Sequence, residues 1–291
     1  MTERADDMFS FAEHAGTFYR ASGMAENLPI ARFIGRVGAR IARPPRIVIL
    51  GDFNSGKSTL ANTLLGGAML PTSVLANTEL PILIEYSAVP ALSAEMRDGA
   101  RATIGWNDLK AMRFEDARLL HLGLPVERLR RYEIIDTPGL GLGRPHIEEL
   151  VHAANQRAHL AIWCTHATQA WKASERTAWL SLPARLRRTG LLAVTHKDAL
   201  RSNADEERLG RRLAAEAGPE FQDIVRIAGS KAAASSALTN ASDETAWRES
   251  GGAELVAKVQ DTLAIELSRR LGRAEQMLSN AASHFATAMP L

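Results

Sequence analysis

The sequence predicts an α/β protein built on a mostly parallel sheet with helices on both faces. Three stretches predict it. "RIVIL" at 46–50, "YEIID" at 132–136 and "LLAV" at 191–194 are aliphatic runs of the kind that become strands buried on both sides. Each ends in a polar, turn-forming cluster: "GDFNSGKS", "TPG" and "THKD". Helix-like patterns lie between them, the alternation expected of a doubly wound fold.

Composition sets the frame for these elements. The chain has 291 residues, 46% hydrophobic and 23% charged, enough for one large core with added elements. A net charge of +2 is too small to imply a nucleic-acid partner, and no nucleic acid is expected. One cysteine, Cys164, leaves no internal disulfide and fits a reducing compartment. It reads as a buried strand residue rather than a nucleophile. No apolar run reaches the ~20 residues of a membrane span, and the start, "MTERADDMFSF", is too acidic and polar for a signal peptide. The expectation is a cytoplasmic protein.

The first cluster carries the clearest chemistry. "GDFNSGKS", 51–58, matches G-x-x-x-x-G-K-[ST], the phosphate-binding loop. Gly51 and Gly56 let the backbone curl so that successive N–H groups face an anion. The helix beginning near Lys57 adds its positive end. Lys57 brings an ammonium to the β- and γ-phosphates, and Ser58 a hydroxyl ligand for Mg²⁺. Gly51, Asp52, Phe53, Asn54, Ser55, Gly56, Lys57, Ser58 and Thr59 would surround the phosphates. The fold class is thus that of a P-loop NTPase.

The second cluster, "DTPG" at 136–139, places Asp136 in the Mg²⁺ shell and the Gly139 N–H at a γ-phosphate. After a strand, and some eighty residues beyond a phosphate loop, D-x-x-G reads as a switch of GTPase type. The third, Thr195-His196-Lys197-Asp198, matches [NT]-K-x-D except that His196 replaces the lysine. The Asp198 carboxylate would accept from guanine N1–H and the N2 amino group, and the His196 imidazole would stack on the purine. Strict guanine choice and a relaxed choice both remain open on this reading. Ser230 and Lys231 follow a last strand-like run, either as a loop closing over the base or as the start of an Ala-rich helix.

"MLPTSVLANTELPILIEY", 69–86, resembles the switch region of bacterial dynamin-like GTPases, and "GDFNSGKSTLANTLLGG" resembles their phosphate loop with its helix. The resemblance covers roughly 45–235. It implies that Thr78 ligates Mg²⁺ in the triphosphate state, giving Ser58, Thr78 and Asp136 as metal residues. Asn77 and Ala76 depart from the usual threonine and proline. The resemblance also implies no water-orienting glutamine after D-x-x-G, where Leu140 stands. Phe53 occupies the position at which animal dynamins carry a polar, water-positioning residue. Asn54 sits where several potassium-stimulated GTPases coordinate a monovalent cation (K⁺ or Na⁺), which would neutralise charge developing between the phosphates. Alternatively, Asn54 serves the turn geometry alone. The catalytic set is then Lys57, Ser58, Thr78 and Asn54.

The flanks read as helices: 1–43 before the core, 44–238 as the GTPase domain, 239–252 as a polar linker, and 253–291 as a long helix. Near the start, Ile30, Phe33, Ile34, Val37 and Ile41 form one stripe, with Arg32, Arg36, Arg40 and Arg43 forming another. Such a helix either docks its apolar face on the protein or lies on an anionic membrane surface, which would place the protein at the inner face of a membrane. By resemblance, the terminal helices make a bundle that relays nucleotide state, while the long stalk of full-length relatives has no room here. Segment 163–180, with Trp163, Trp171 and Trp179, is either a dimer contact near the nucleotide or core aromatics under a helix. His166 reads as a surface or hydrogen-bonding histidine.

Three functions fit in order. The first is a dynamin-like GTPase that hydrolyses GTP to GDP slowly and is raised by homodimerisation or by a larger dynamin-like partner. The second is a nucleotide-gated module with vestigial hydrolysis, and the third an RNA-linked GTPase. The switch sequence and the lack of a basic appendage with interleaved aromatics oppose the third.

Overall fold

A computed structural model describes residues 35–39, 43–70, 80–105, 116–140, 145–235 and 241–288. Thr78 and most of the N-terminal arginine helix lie outside the described residues. So do Asn77 and Ala76.

Among the described residues, nine strands form one sheet: β1 Arg46–Gly51, β2 Ile82–Tyr86, β3 Ala91–Met96, β4 Arg101–Thr103, β5 Ala117–Leu124, β6 Glu133–Asp136, β7 Leu160–His166, β8 Leu191–Thr195 and β9 Asp223–Arg226. Their spatial order is β4-β3-β5-β2-β6-β1-β7-β8-β9. From β6 to β9 every neighbouring pair is parallel. β2 runs antiparallel to β6, and β3 is antiparallel to both β4 and β5. The expected mostly parallel sheet is therefore present, with an antiparallel extension at one edge.

Alternation along β1 explains the two layers. Ile47 and Ile49 enter one core, Val48 and Leu50 the other, and all four are fully buried. The first core is closed by α1 (Lys57–Leu65), α6 (Gly229–Ser235), α7 (Ala241–Glu249) and the start of α8 (Gly252–Ala288), through Leu60, Ala232, Trp247 and Leu255. The second is closed by α2 (Pro145–Arg157), α3 (Ala173–Leu180), α4 (Ala184–Arg187) and α5 (Asn203–Glu216), through Val151, Trp179, Leu186 and Leu209. Trp179 stacks on Phe221 with ring centroids 4.2 Å apart, and Trp171 meets the same ring edge-on at 5.0 Å. Both tryptophans of segment 163–180 outside β7 are thus core aromatics.

Residues 239–252, expected as a polar linker, hold helix α7. Asp243 and Glu244 in its first turn favour its N-terminus, and Trp247 anchors it in the core. The chain divides into two compact units. One spans Pro45–Leu263 and carries the sheet; the other joins the terminal segments, Met1–Pro44 and Ala264–Leu291. Within the second unit, residues 35–39 are helical, Val37 is buried, and the Arg270 guanidinium donates to the Arg43 carbonyl at 3.2 Å. No helix among the described residues is long and apolar enough to cross a membrane.

Candidate nucleotide site

β1 lies between β6 and β7, so the loops leaving the carboxyl ends of these strands converge on one crevice. The chain turns out of β1 at Gly51, whose φ of 142° suits glycine, and a Cβ there would lie 2.3 Å from the Cys164 carbonyl oxygen. Gly56, at φ 87°, turns the chain into α1. Asn54 adopts φ 58°, a left-handed conformation that asparagine tolerates better than most residues. Asn54 and Phe53 are exposed, Phe53 at 61%. The strand–loop–helix context of a phosphate loop is complete.

Lys57 is buried, and its ammonium donates to the carbonyls of Gly51 (3.1 Å) and Asp52 (2.6 Å). Burial pulls its pKa below the ordinary lysine value, while the Asp136 and Asp52 charges oppose that pull. Ser58 Oγ donates to Asp136 Oδ2 at 2.8 Å, across 78 residues of chain. The other oxygen, Asp136 Oδ1, is buried without a hydrogen-bond partner. Burial drives the Asp136 pKa up, against the Ser58 hydrogen bond and the Lys57 charge. A buried carboxylate with one orphaned oxygen, beside a serine hydroxyl, is the hard oxygen-donor set that suits Mg²⁺. The residues present fit that ion.

The switch segment is held against the phosphate loop by its backbone. Leu140 N–H donates to the Gly51 carbonyl at 3.2 Å, Asp52 and Leu140 form a parallel bridge, and Thr137 Oγ1 donates to the Ile49 carbonyl at 2.6 Å. Gly139 crosses so near the loop that a Cβ would stand 2.8 Å from both Phe53 N and Phe53 Cα.

The base-reading segment arrives at the end of β8. Thr195 Oγ1 donates to the Ser55 carbonyl at 2.7 Å, tying this strand to the phosphate loop. His196 takes φ 55°, and Asp198, two residues on, is exposed. Lys197 does not reach the phosphate loop; its ammonium donates to the Glu249 carbonyl. Asp198 and Lys197 border a cavity of about 620 Å³, also lined by Ala228 and Lys231. Ser230 and Lys231 lie in the first turns of α6, the Ala-rich helix start that was one of the two sequence readings. Cys164 is fully buried on β7, with burial pushing its thiol up to about 12.

Two contacts were not legible in the sequence. Lys172 Nζ pairs with Asp52 Oδ2 at 3.0 Å, bridging 120 residues. The His166 and His196 rings stack at 4.1 Å with 17° between planes.

The fold and the loop geometry are those of a P-loop NTPase. The family model for the dynamin family matches residues 47–197, just over half of the chain. The chain belongs to the dynamin family. Isoniazid-induced protein IniC of Mycobacterium tuberculosis is 34% identical over 113 residues, which cover 36% of this chain and 23% of that protein. Dynamin-like protein 2 of Campylobacter jejuni is 30% identical over 163 residues, covering 53% of this chain and 26% of that one. The matched part is thus about a quarter of either relative. A solved structure described as an oligomerised bacterial dynamin pair, with a mechanism for long-range sensing and tethering of membranes, superposes with a TM-score of 0.66. It is 16% identical, and the match covers 97% of this chain and 56% of that one. That likeness bears on the fold.

Proposed function

We propose that this chain binds GTP with Mg²⁺ and hydrolyses it to GDP and phosphate. The observation that carries the reading is the convergence of the Lys57 ammonium, the Ser58 hydroxyl and the orphaned Asp136 oxygen beneath the loop amides. The loop N–H groups and Lys57 hold the β- and γ-phosphates and stabilise charge developing on them. Ser58, Asp136 and Thr78 would hold the divalent ion, which supplies further charge neutralisation. The Gly139 N–H meets the γ-phosphate, and Asp198 accepts from the guanine edge. Water attacks the γ-phosphorus, the bond to the β-phosphate oxygen breaks, and GDP leaves. A monovalent cation beside Asn54 belongs to the same proposal; exchanging K⁺ for choline should slow turnover.

In this reading the terminal helices, 1–43 and 253–291, relay nucleotide state to a partner. That partner is a second copy or a larger dynamin-like chain, at an anionic membrane surface on the cytoplasmic side. The solved bacterial dynamin pair supports association of this kind.

Phosphate release from GTP and from ATP, measured against protein concentration and with anionic liposomes, tests the proposal. Turnover of GTP that rises with concentration and vanishes in Lys57→Ala supports it. No heat of binding at millimolar GTP overturns it. The exposed Phe53 favours a second reading, a nucleotide-gated module with vestigial hydrolysis. A negligible rate that stays flat with concentration, despite tight GTP binding, selects that one.

A further inference from the structure

The geometry points to a two-histidine shelf for the nucleobase, in which His196 lies against the purine face and His166 is the positioning residue behind it. The inference rests on the GTP-binding reading above and deepens it by naming what holds the base. Its first support is the stack itself. His166 closes β7 and His196 follows β8, two adjacent parallel strands, and the rings lie nearly parallel at 4.1 Å. One face of the His196 imidazole is therefore covered. The residue is half-buried, so part of it is open to a ligand.

The second support is where the shelf stands. His196 Cε1 would be 3.4 Å from a Cβ at Gly56, so the ring borders the last turn of the phosphate loop. Asp198, the carboxylate suited to the guanine edge, is exposed two residues further on. A purine whose phosphates occupy the loop, and whose edge meets Asp198, has to pass the free face of this ring.

The third support is that the ring is fixed rather than mobile. Thr195 Oγ1 lies 2.7 Å from the Ser55 carbonyl, 3.1 Å from the Thr165 carbonyl and 3.0 Å from His196 Nδ1. The hydroxyl has one proton and gives it to a carbonyl. His196 Nδ1–H then donates to the hydroxyl oxygen, which sets the tautomer and the ring plane. The left-handed backbone at His196, φ 55°, is uncommon for a residue with a Cβ and is the kind of strain retained where a side chain must be aimed. His166 is fixed too: its Nδ1 accepts from Thr168 N–H at 3.3 Å and lies 3.0 Å from Thr168 Oγ1. Burial, His196 and Lys172 lower the His166 pKa, against the pull of Asp198. An uncharged ring stacks on His196 without repelling it.

A shelf reads the π-face of a base and not its edge, so it contributes affinity to any purine and leaves the choice of guanine to Asp198. Binding of GDP, inosine diphosphate and inorganic tripolyphosphate to the full chain with Mg²⁺, followed by calorimetry, tests it. His166→Ala should weaken both nucleoside diphosphates about tenfold and leave tripolyphosphate within about twofold. His166→Phe, which keeps a flat ring but loses the Nδ1 acceptor, should restore both to within about twofold of wild type. Wild-type affinity for GDP in His166→Ala overturns the shelf. So does a His166→Phe variant as weak as His166→Ala, because His166 would then act by capping the turn at 167–169. Equal weakening of tripolyphosphate overturns it as well, as general loss of the site. A wild-type chain that binds tripolyphosphate but no nucleoside diphosphate overturns the GTP reading itself, and the shelf with it.

Discussion

Replacing Gly139 with alanine perturbs the contact between switch and phosphate loop at one atom. The added methyl would sit 2.8 Å from Phe53 N and Phe53 Cα and 3.1 Å from Phe53 Cβ. Ordinary contact begins near 3.4 Å, so the two segments must part by about 0.6 Å. Two of the three clashing atoms are backbone, so no rotamer change relieves them. Forcing such an atom into a close-packed contact costs about 1–3 kcal/mol. Parting the segments also stretches the Leu140 N–H bond to the Gly51 carbonyl, already 3.2 Å, which contributes about 1 kcal/mol. The two costs together come to about 2–4 kcal/mol; for a domain of this size each kcal/mol is about 2–4 °C of melting temperature, so a fall of roughly 4–16 °C is expected. Thermal unfolding measures the first effect. GTP turnover measures the second, because the Gly139 N–H would be displaced from a γ-phosphate. An alanine variant with both the melting temperature and turnover of the wild type refutes the argument from close approach.

Three further perturbations follow from the same structure. Trp179→Ala removes a fully buried ring stacked on Phe221 and bonded through Nε1 to the Glu220 carbonyl, and should cost about 3–5 kcal/mol in chemical denaturation; a loss under about 1 kcal/mol contradicts the packing. Glu95 is gripped at 2.8 Å by two nitrogens of Arg157 and also pairs with Arg118, and these hydrogen bonds lower its pKa from 4.5 to about 2 despite partial burial. Its contribution is present above about pH 4.5 and lost as pH falls toward 2. After screening of the partly exposed arginines it amounts to about 1–2 kcal/mol, so Glu95→Gln should flatten acid unfolding in that window. Ser58→Ala removes the side-chain hydrogen bond to the buried Asp136 and should destabilise the fold by about 1–3 kcal/mol near neutral pH. The Asp136 pKa is raised on folding, so the penalty shrinks as pH falls and the carboxyl takes up a proton. A penalty that grows on acidification contradicts this.

The parts of the fold legible in the sequence were those whose cause is local. β1, β6 and β8 are short aliphatic runs, and their polar exits carry the site. The antiparallel extension was hidden because its strands mix charge with apolar residues. On β5, the half-core His121 meets Glu85 and Glu95 from β2 and β3, and Arg157 closes the group from α2. Such residues read as solvent-facing until the pairing that satisfies them is known. Helix α7 was hidden differently. Its composition is polar, and its buried anchor is Trp247, the ring lying where a Cβ on Gly252 would come within 2.2 Å. The Gly251-Gly252 pair, at the end of the expected linker, is the corner over which that ring packs. Lys172 and the His166–His196 stack were invisible because each depends on two segments meeting only in three dimensions.

The ties around the phosphate loop also limit how it can respond to a ligand. The Gly51 carbonyl accepts from both Lys57 and Leu140, and Asp52 takes the Lys57 ammonium on its carbonyl and the Lys172 ammonium on its carboxylate. A polyphosphate that draws Lys57 toward itself leaves these two residues to re-pair with what remains: the switch backbone and segment 166–172. Each such hydrogen bond is worth only about 1 kcal/mol net, and 1–2 kcal/mol changes the ratio of two conformations about 5- to 30-fold. Thr195, bonded to the Ser55 carbonyl, puts the base-reading strand under the same constraint. The loop is therefore not a passive cradle. Its backbone is shared by the groups that would meet the γ-phosphate, the base and segment 166–172, so displacing one lysine alters the bonding of all three.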